Sequence, residues 1–108
     1  MAKITKVEGV ALSVPLTPTE PRQLWAEHWS RQFLVRVCDD GGICGVGEAF
    51  MNTSKHQPYL ALAEEMGERI KGLETWQIEK AGATLEHAYY AVGRGGLTSI
   101  IISAIDVA

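Results

Sequence analysis

The sequence predicts an α+β fold, a three-stranded antiparallel meander followed by three helices. In the first half, apolar and polar residues alternate with the period of two expected of strands. In the second half, the apolar spacing changes to the three-and-four pattern of helices, interrupted at Gly72 and at Gly93-Arg94-Gly95-Gly96. Strands grouped before helices imply an antiparallel sheet covered by helices on one face.

The first strand is read over residues 3–14, where Val10, Leu12 and Val14 alternate against Ala11 and Ser13. Ile4 and Val7 are out of phase, and Gly9 offers a place for a bulge to absorb the slip. Pro15, Pro18 and Pro21 end the pairing, because proline donates no ladder bond. Residues 17–30 form a long connection carrying Arg22, Leu24, Trp25, His28 and Trp29. Two tryptophans on such a connection need something to cover, a neighbouring domain or a ligand. The second strand spans residues 32–38, with Phe33, Val35 and Val37 on one face. Asp39-Asp40-Gly41-Gly42 then gives a hairpin turn, since Asp and Gly tolerate its backbone angles. Residues 43–50 form the third strand. Gly45 and Gly47 leave one of its faces nearly bare, and Val46, Glu48 and Phe50 share the other. A bare face in a strand implies close approach by another element.

Ser54 is placed to cap the first helix, with Pro58 in its first turns and Gly72 at its end. Its apolar stripe is Tyr59, Leu62, Ala63, Met66 and Ile70. Thr75 is placed to cap the second, whose stripe is Ile78, Ala81, Leu85, Ala88 and Tyr89. Tyr89 and Tyr90 are adjacent, so one packs and the other stands at the edge. The third helix covers residues 97–108, and Leu97, Ile100, Ile101, Ala104, Ile105 and Ala108 make its stripe wide. No Gly, Pro or basic turn closes it, so the sequence reads as one incomplete domain, 1–108, cut from a longer chain. Such a stripe is expected to pack on a second copy, fold against its own sheet or stay exposed.

The chain has 108 residues, 46% of them hydrophobic and 21% charged, with a net charge of −3. That composition suits one soluble domain. No basic cluster points to nucleic acid, no apolar run is long enough to span a membrane, and the N-terminal Met-Ala-Lys-Ile-Thr-Lys lacks the apolar stretch of a signal peptide. The expected location is the cytoplasm. Cys38 and Cys44, offset across the turn, are expected to be reduced thiols rather than a disulfide.

Gly45-Val46-Gly47-Glu48-Ala49 looks like half of a phosphate-binding loop, but its glycines lie inside a strand, which favours close packing. Glu48 can be a general base. Without a partner in sequence it is read as structural, an ion pair or hydrogen-bond acceptor. Gly93-Arg94-Gly95-Gly96 can hold an anion on backbone N–H groups or simply turn the chain, and glycine's role in turns favours the turn. His28, His56 and His87 lie on different elements at no ligand spacing, and no metal site is expected in this chain.

Several strings occur in order: Lys3-Ile-Thr-Lys-Val-Glu, the Pro-rich connection, Phe33-Leu-Val-Arg-Val-Cys-Asp-Asp-Gly-Gly and Ile43-Cys-Gly-Val-Gly-Glu-Ala. Gly93-Arg-Gly-Gly and Ser103-Ala-Ile-Asp-Val-Ala follow. Together they resemble the N-terminal capping domain of the mandelate racemase/muconate-lactonizing branch of the enolase superfamily, over essentially the whole chain. The resemblance implies a two-domain enzyme whose cap covers a catalytic (β/α) barrel that this chain lacks. Barrel residues would hold Mg²⁺ and remove the proton α to a small carboxylate substrate, in acid-sugar dehydration, racemisation or epimerisation, or cycloisomerisation. No catalytic residue would then lie in this chain, and the fragment alone would be inactive. The cap's share would be specificity, through two loops matching residues 17–30 and 49–54. Leu24, Trp25, Phe50, Met51 and Asn52 are the expected substrate-facing residues. The expected partners are the barrel and further copies in a homo-oligomer. The other reading is a self-contained α+β binding or interaction module that uses its tryptophan connection.

Overall fold

The computed structural model describes residues 1–13, 31–51 and 55–108. Three strands, β1 (Ile4–Ser13), β2 (Arg31–Asp39) and β3 (Cys44–Ala49), form an antiparallel sheet in the order β1-β2-β3. Three α-helices follow: α1 (Gln57–Ile70), α2 (Ile78–Ala88) and α3 (Gly96–Val107). A single 3-10 turn, Tyr90–Val92, separates the last two. The meander and the three helices are those the periodicity predicts. The end of the first strand at Val14 and the Ser54 cap lie outside the described residues. The helices start at His56 and Gln77 as caps, neither with a side-chain cap bond.

Register assigns the two faces of the sheet. Val7 pairs with Val37, Gly9 with Val35 and Ala11 with Phe33. Phe33, Val35 and Val37 in turn oppose Ala49, Gly47 and Gly45. These nine residues make the covered face. The irregularity lies between Ile4 and Lys6, not at Gly9 as the sequence suggests. That one-residue slip puts both Ile4 and Val7 in the core, as a bulge must when two apolar residues are out of phase. Gly9 stays in register for another reason: a Cβ there would meet the Phe33 ring and Leu60.

α1 runs antiparallel to β1, placing Leu60 over Gly9 and Gly67 against Val7, where a Cβ would come within 2.6 Å of the valine's own. α3 lies across β3 more closely still. A Cβ at Gly45 would fall on the Ala108 carbonyl oxygen, and one at Gly47 on that of Ala104, with the carbonyl carbons 2.9 Å away in both cases. The two glycines therefore let a helix backbone rest on a strand, which is the close approach their spacing predicts. Ile101, Ala104 and Ile105 are buried by this contact, and Leu97, Ile100 and Ile102 pack partly against the same core. Of the three expected fates of the stripe, the helix takes the second and folds against its own sheet. The core between the layers is filled by Phe33, Val35, Met66, Ile70, Leu85 and Ile101.

The turn end of the sheet is tied down many times. The Asp39 carboxylate accepts from the Gly41 and Ile43 amides, both at 2.9 Å, and the Asp39 amide donates to Ile43. The Gly72 amide donates to the Ile4 carbonyl, and the Ile4 amide to that of Leu73, fastening the end of α1 to β1. Cys38 pairs directly with Cys44, their Cα atoms are 4.1 Å apart, and they form a disulfide. This corrects the expectation of two reduced thiols. The Asp39 turn sets a register in which the two cysteines face each other, and the sequence offset hides that register.

Candidate functional site

In an antiparallel meander, the end of the first strand, the start of the second and the end of the third share one end of the sheet. Here these are Ser13, paired with Arg31, and Ala49, paired with Phe33. The connections 14–30 and 52–54 therefore leave the described structure from the same end, opposite the disulfide. α1 begins there too, since its Tyr59 ring lies 5.4 Å from that of Phe33. Phe33, Tyr59 and Met51 are buried and close the core at this tip. Phe50, the next residue after β3, stands 55% exposed.

Of the five residues expected to face a substrate, the tip thus divides two and the rest cannot be placed. Phe50 is exposed beside the two connections, whereas Met51 is 6% exposed and belongs to the core. Leu24, Trp25 and Asn52 lie outside the described residues, as do Trp29 and His28. The alternation that points Phe50 outward turns Met51 inward, and a reading by loop position alone cannot separate them.

Glu48 is exposed on the open face of the sheet, opposite Leu34, and has no ion-pair or hydrogen-bond partner among the described residues. Its expected structural pairing is absent there. The open face carries a different charged group. Glu8 accepts from Arg36 Nε at 2.6 Å and pairs with Lys6 at 2.8 Å. Hydrogen bonding from Lys6, then from Arg36, holds the Glu8 carboxyl below the usual carboxylate range. Val10, Leu12 and Val46 are exposed on this same face.

A second polar group joins α1 to the end of α2. The Tyr89 hydroxyl donates to Glu65 Oε1 at 2.6 Å and accepts from Arg69 Nε at 3.2 Å. Burial pushes the Tyr89 pKa up, and the bond to Glu65 adds to the rise. Tyr89 is buried while Tyr90 is 75% exposed, as their adjacency on a helix predicts. His56 and His87 lie on separate helices, and His87 stacks on Tyr90 with ring centroids 6.3 Å apart. No three His, Cys, Asp or Glu side chains come together to hold a metal among the described residues. No helix is long and apolar enough to cross a membrane among the described residues.

No family model matches the sequence, and no curated protein matches it. Solved structures do match its fold. A mandelate racemase/muconate lactonizing enzyme from Polaromonas sp. superposes with a TM-score of 0.76 at 25% identity, over 99% of this chain and 28% of that one. A member of the enolase superfamily from Agrobacterium tumefaciens gives 0.79 at 19% identity, over 100% and 33%. The L-talarate/galactarate dehydratase of Salmonella typhimurium, liganded with Mg and L-lyxarohydroxamate, gives 0.72 at 23% identity, over 99% and 29%. The chain spans about a third or less of the length of these proteins. Its sheet and helices thus have the fold of the N-terminal cap of the mandelate racemase/muconate-lactonizing branch of the enolase superfamily.

Proposed function

We propose that this chain is the substrate-specificity cap of a Mg²⁺-dependent enzyme that removes the proton α to a carboxylate, of the acid-sugar dehydratase or racemase/epimerase type. The observation that carries this reading is the tip. Both connections, 14–30 and 52–54, start from one end of the sheet, beside an exposed aromatic residue, while the opposite end is clamped. Elements that recognise a small molecule are commonly loops set on a rigid scaffold in this way. Closing such loops over a site excludes water and strengthens the electrostatic interactions beneath. In this account the chain supplies closure and shape, through Phe50 and the residues of 14–30. Acid/base chemistry and metal binding fall to the remaining two thirds of the parent.

The test joins this chain to the remaining part of an enzyme of the same fold and assays Mg²⁺-dependent dehydration and racemisation of hydroxylated carboxylates. Phe50→Ala and Trp25→Ala should raise KM about tenfold or more with less effect on kcat, as expected when binding contacts are lost. Activity indifferent to both substitutions would refute the role.

One observation favours the second reading, a self-contained α+β interaction module. α3 buries Ile101, Ala104 and Ile105 against its own sheet. In the assay above, that module would add nothing to the partner enzyme's activity.

A further inference from the structure

We propose that the open face of the sheet binds a second copy of this chain, in a two-fold contact centred on Leu34 and Val46. The solvent face of an antiparallel sheet is ordinarily polar. Here Val10, Leu12 and Val46 are exposed on it, and Leu34 is half-buried on the strand between. The helices rest on the opposite face, against Gly9, Gly45 and Gly47. Register arranges the apolar residues further. Leu12 pairs with Gln32, Leu34 with Val10 and Glu48, and Val46 with Arg36. Leu12, Leu34 and Val46 therefore fall on one diagonal that crosses all three strands.

An apolar patch alone does not say what covers it. The charges on this face do. Leu34, Glu48, Val46 and Arg36 form a quadrilateral, with apolar residues at one pair of opposite corners and opposite charges at the other. Glu48 is exposed and has no ion-pair or hydrogen-bond partner among the described residues. Across the diagonal, Arg36 and Lys6 share the single carboxylate of Glu8, which leaves one positive charge in excess. The charges of Lys6, Glu8, Arg36 and Glu48 thus cancel in sum but stand apart in space. A two-fold axis along the apolar diagonal lays Leu34 and Val46 on their own counterparts. It also brings each Glu48 over Arg36 of the other copy, so that the pair forms twice. Arg36 keeps N–H donors beyond the Nε and Nη2 that face Glu8. The contact is isologous, and its strands cross steeply, as in orthogonal sheet packing. A partner of one charge sign would be attracted at one corner and repelled at the other, which favours a second copy. The patch measures about 25 Å along the strands and about 15 Å across them, at the small end of specific interfaces, so the dimer is a weak one.

The experiment is sedimentation equilibrium of the 108-residue chain from about 10 μM to about 1 mM, with ¹⁵N NMR spectra over the same dilution. A monomer–dimer equilibrium is expected, with concentration-dependent shifts at Val10, Leu34, Val46 and Glu48. Glu48→Arg, on an exposed side chain, should weaken dimerisation about tenfold or more by setting like charges against each other. Adding Arg36→Glu reverses both charges and should restore dimerisation to within about threefold of the original. Leu34→Lys places two like charges on the axis, should abolish the dimer, and provides the test if the double variant does not fold. Unchanged Phe33 and Val35 resonances would show that each variant is folded. A monomer at every concentration would overturn the proposal, as when residues 14–30 or another domain cover this face instead. Shifts confined to the helices, a Glu48→Arg variant that dimerises as before, or a folded double variant no better than Glu48→Arg would overturn it equally.

Discussion

The two ends of the sheet are built on opposite plans. At the turn end, Cys38 and Cys44 are bonded, the Asp39 carboxylate holds two amides of its own turn, and the end of α1 is tied to Ile4. At the tip, the described pairing ends with Ser13 against Arg31 and Ala49 against Phe33, and Phe50 turns out of the core that Phe33 and Tyr59 close. Redundant local bonds at one end leave the other free to carry loops without loosening the fold. Loops set far from such a clamp can vary in sequence while the scaffold stays the same.

The largest effect that would break this comparison comes from the close contact of β3 and α3, which fixes the layers at both ends. Gly47→Val should cost about 3 kcal/mol or more, since overpacking already costs about 1–3 kcal/mol where side chains alone must yield and here a helix backbone must move. Chemical denaturation of the two proteins checks it. Phe33→Ala should also cost about 3 kcal/mol or more by loss of a fully buried ring, whereas Phe50→Ala should change stability by only about 0.5 kcal/mol. Equal losses for the two phenylalanines would erase the distinction drawn at the tip.

Reduction of the disulfide, or Cys38→Ser with Cys44→Ser, should cost about 2 kcal/mol at most, because the loop it closes is short and the Asp39 turn already holds it. A thermal melt with and without reductant measures this. The smallest effect concerns the Glu8 pairs. The folded carboxyl titrates below its unfolded value, so its contribution is present above the ordinary carboxylate range and is lost as pH falls through the lowered value. Arg36→Ala should reduce that acid-side dependence, and Glu8 itself can be followed by NMR titration.

Much of this was legible in the residues. The period-two runs around Phe33, Val35 and Val37 located β2, and the bare positions Gly45 and Gly47 announced a close neighbour that proved to be α3. Features that depend on tertiary register were not. The bulge near Thr5, the facing of Cys38 and Cys44, and the inward turn of Met51 each depend on a one-residue shift that periodicity leaves free. Gly67 gave no signal, because a glycine inside a helical stripe reads as a weak helix position until Val7 is found against it.

The contrast between the clamped end and the open tip of the sheet is tested most directly by amide hydrogen exchange on the 108-residue chain. The amides of Val37, Asp39 and Gly72 should exchange slowly, at rates set by global unfolding, and those of Phe50 and Met51 markedly faster by local opening. Phe50 and Met51 protected as strongly as Val37 would contradict the account.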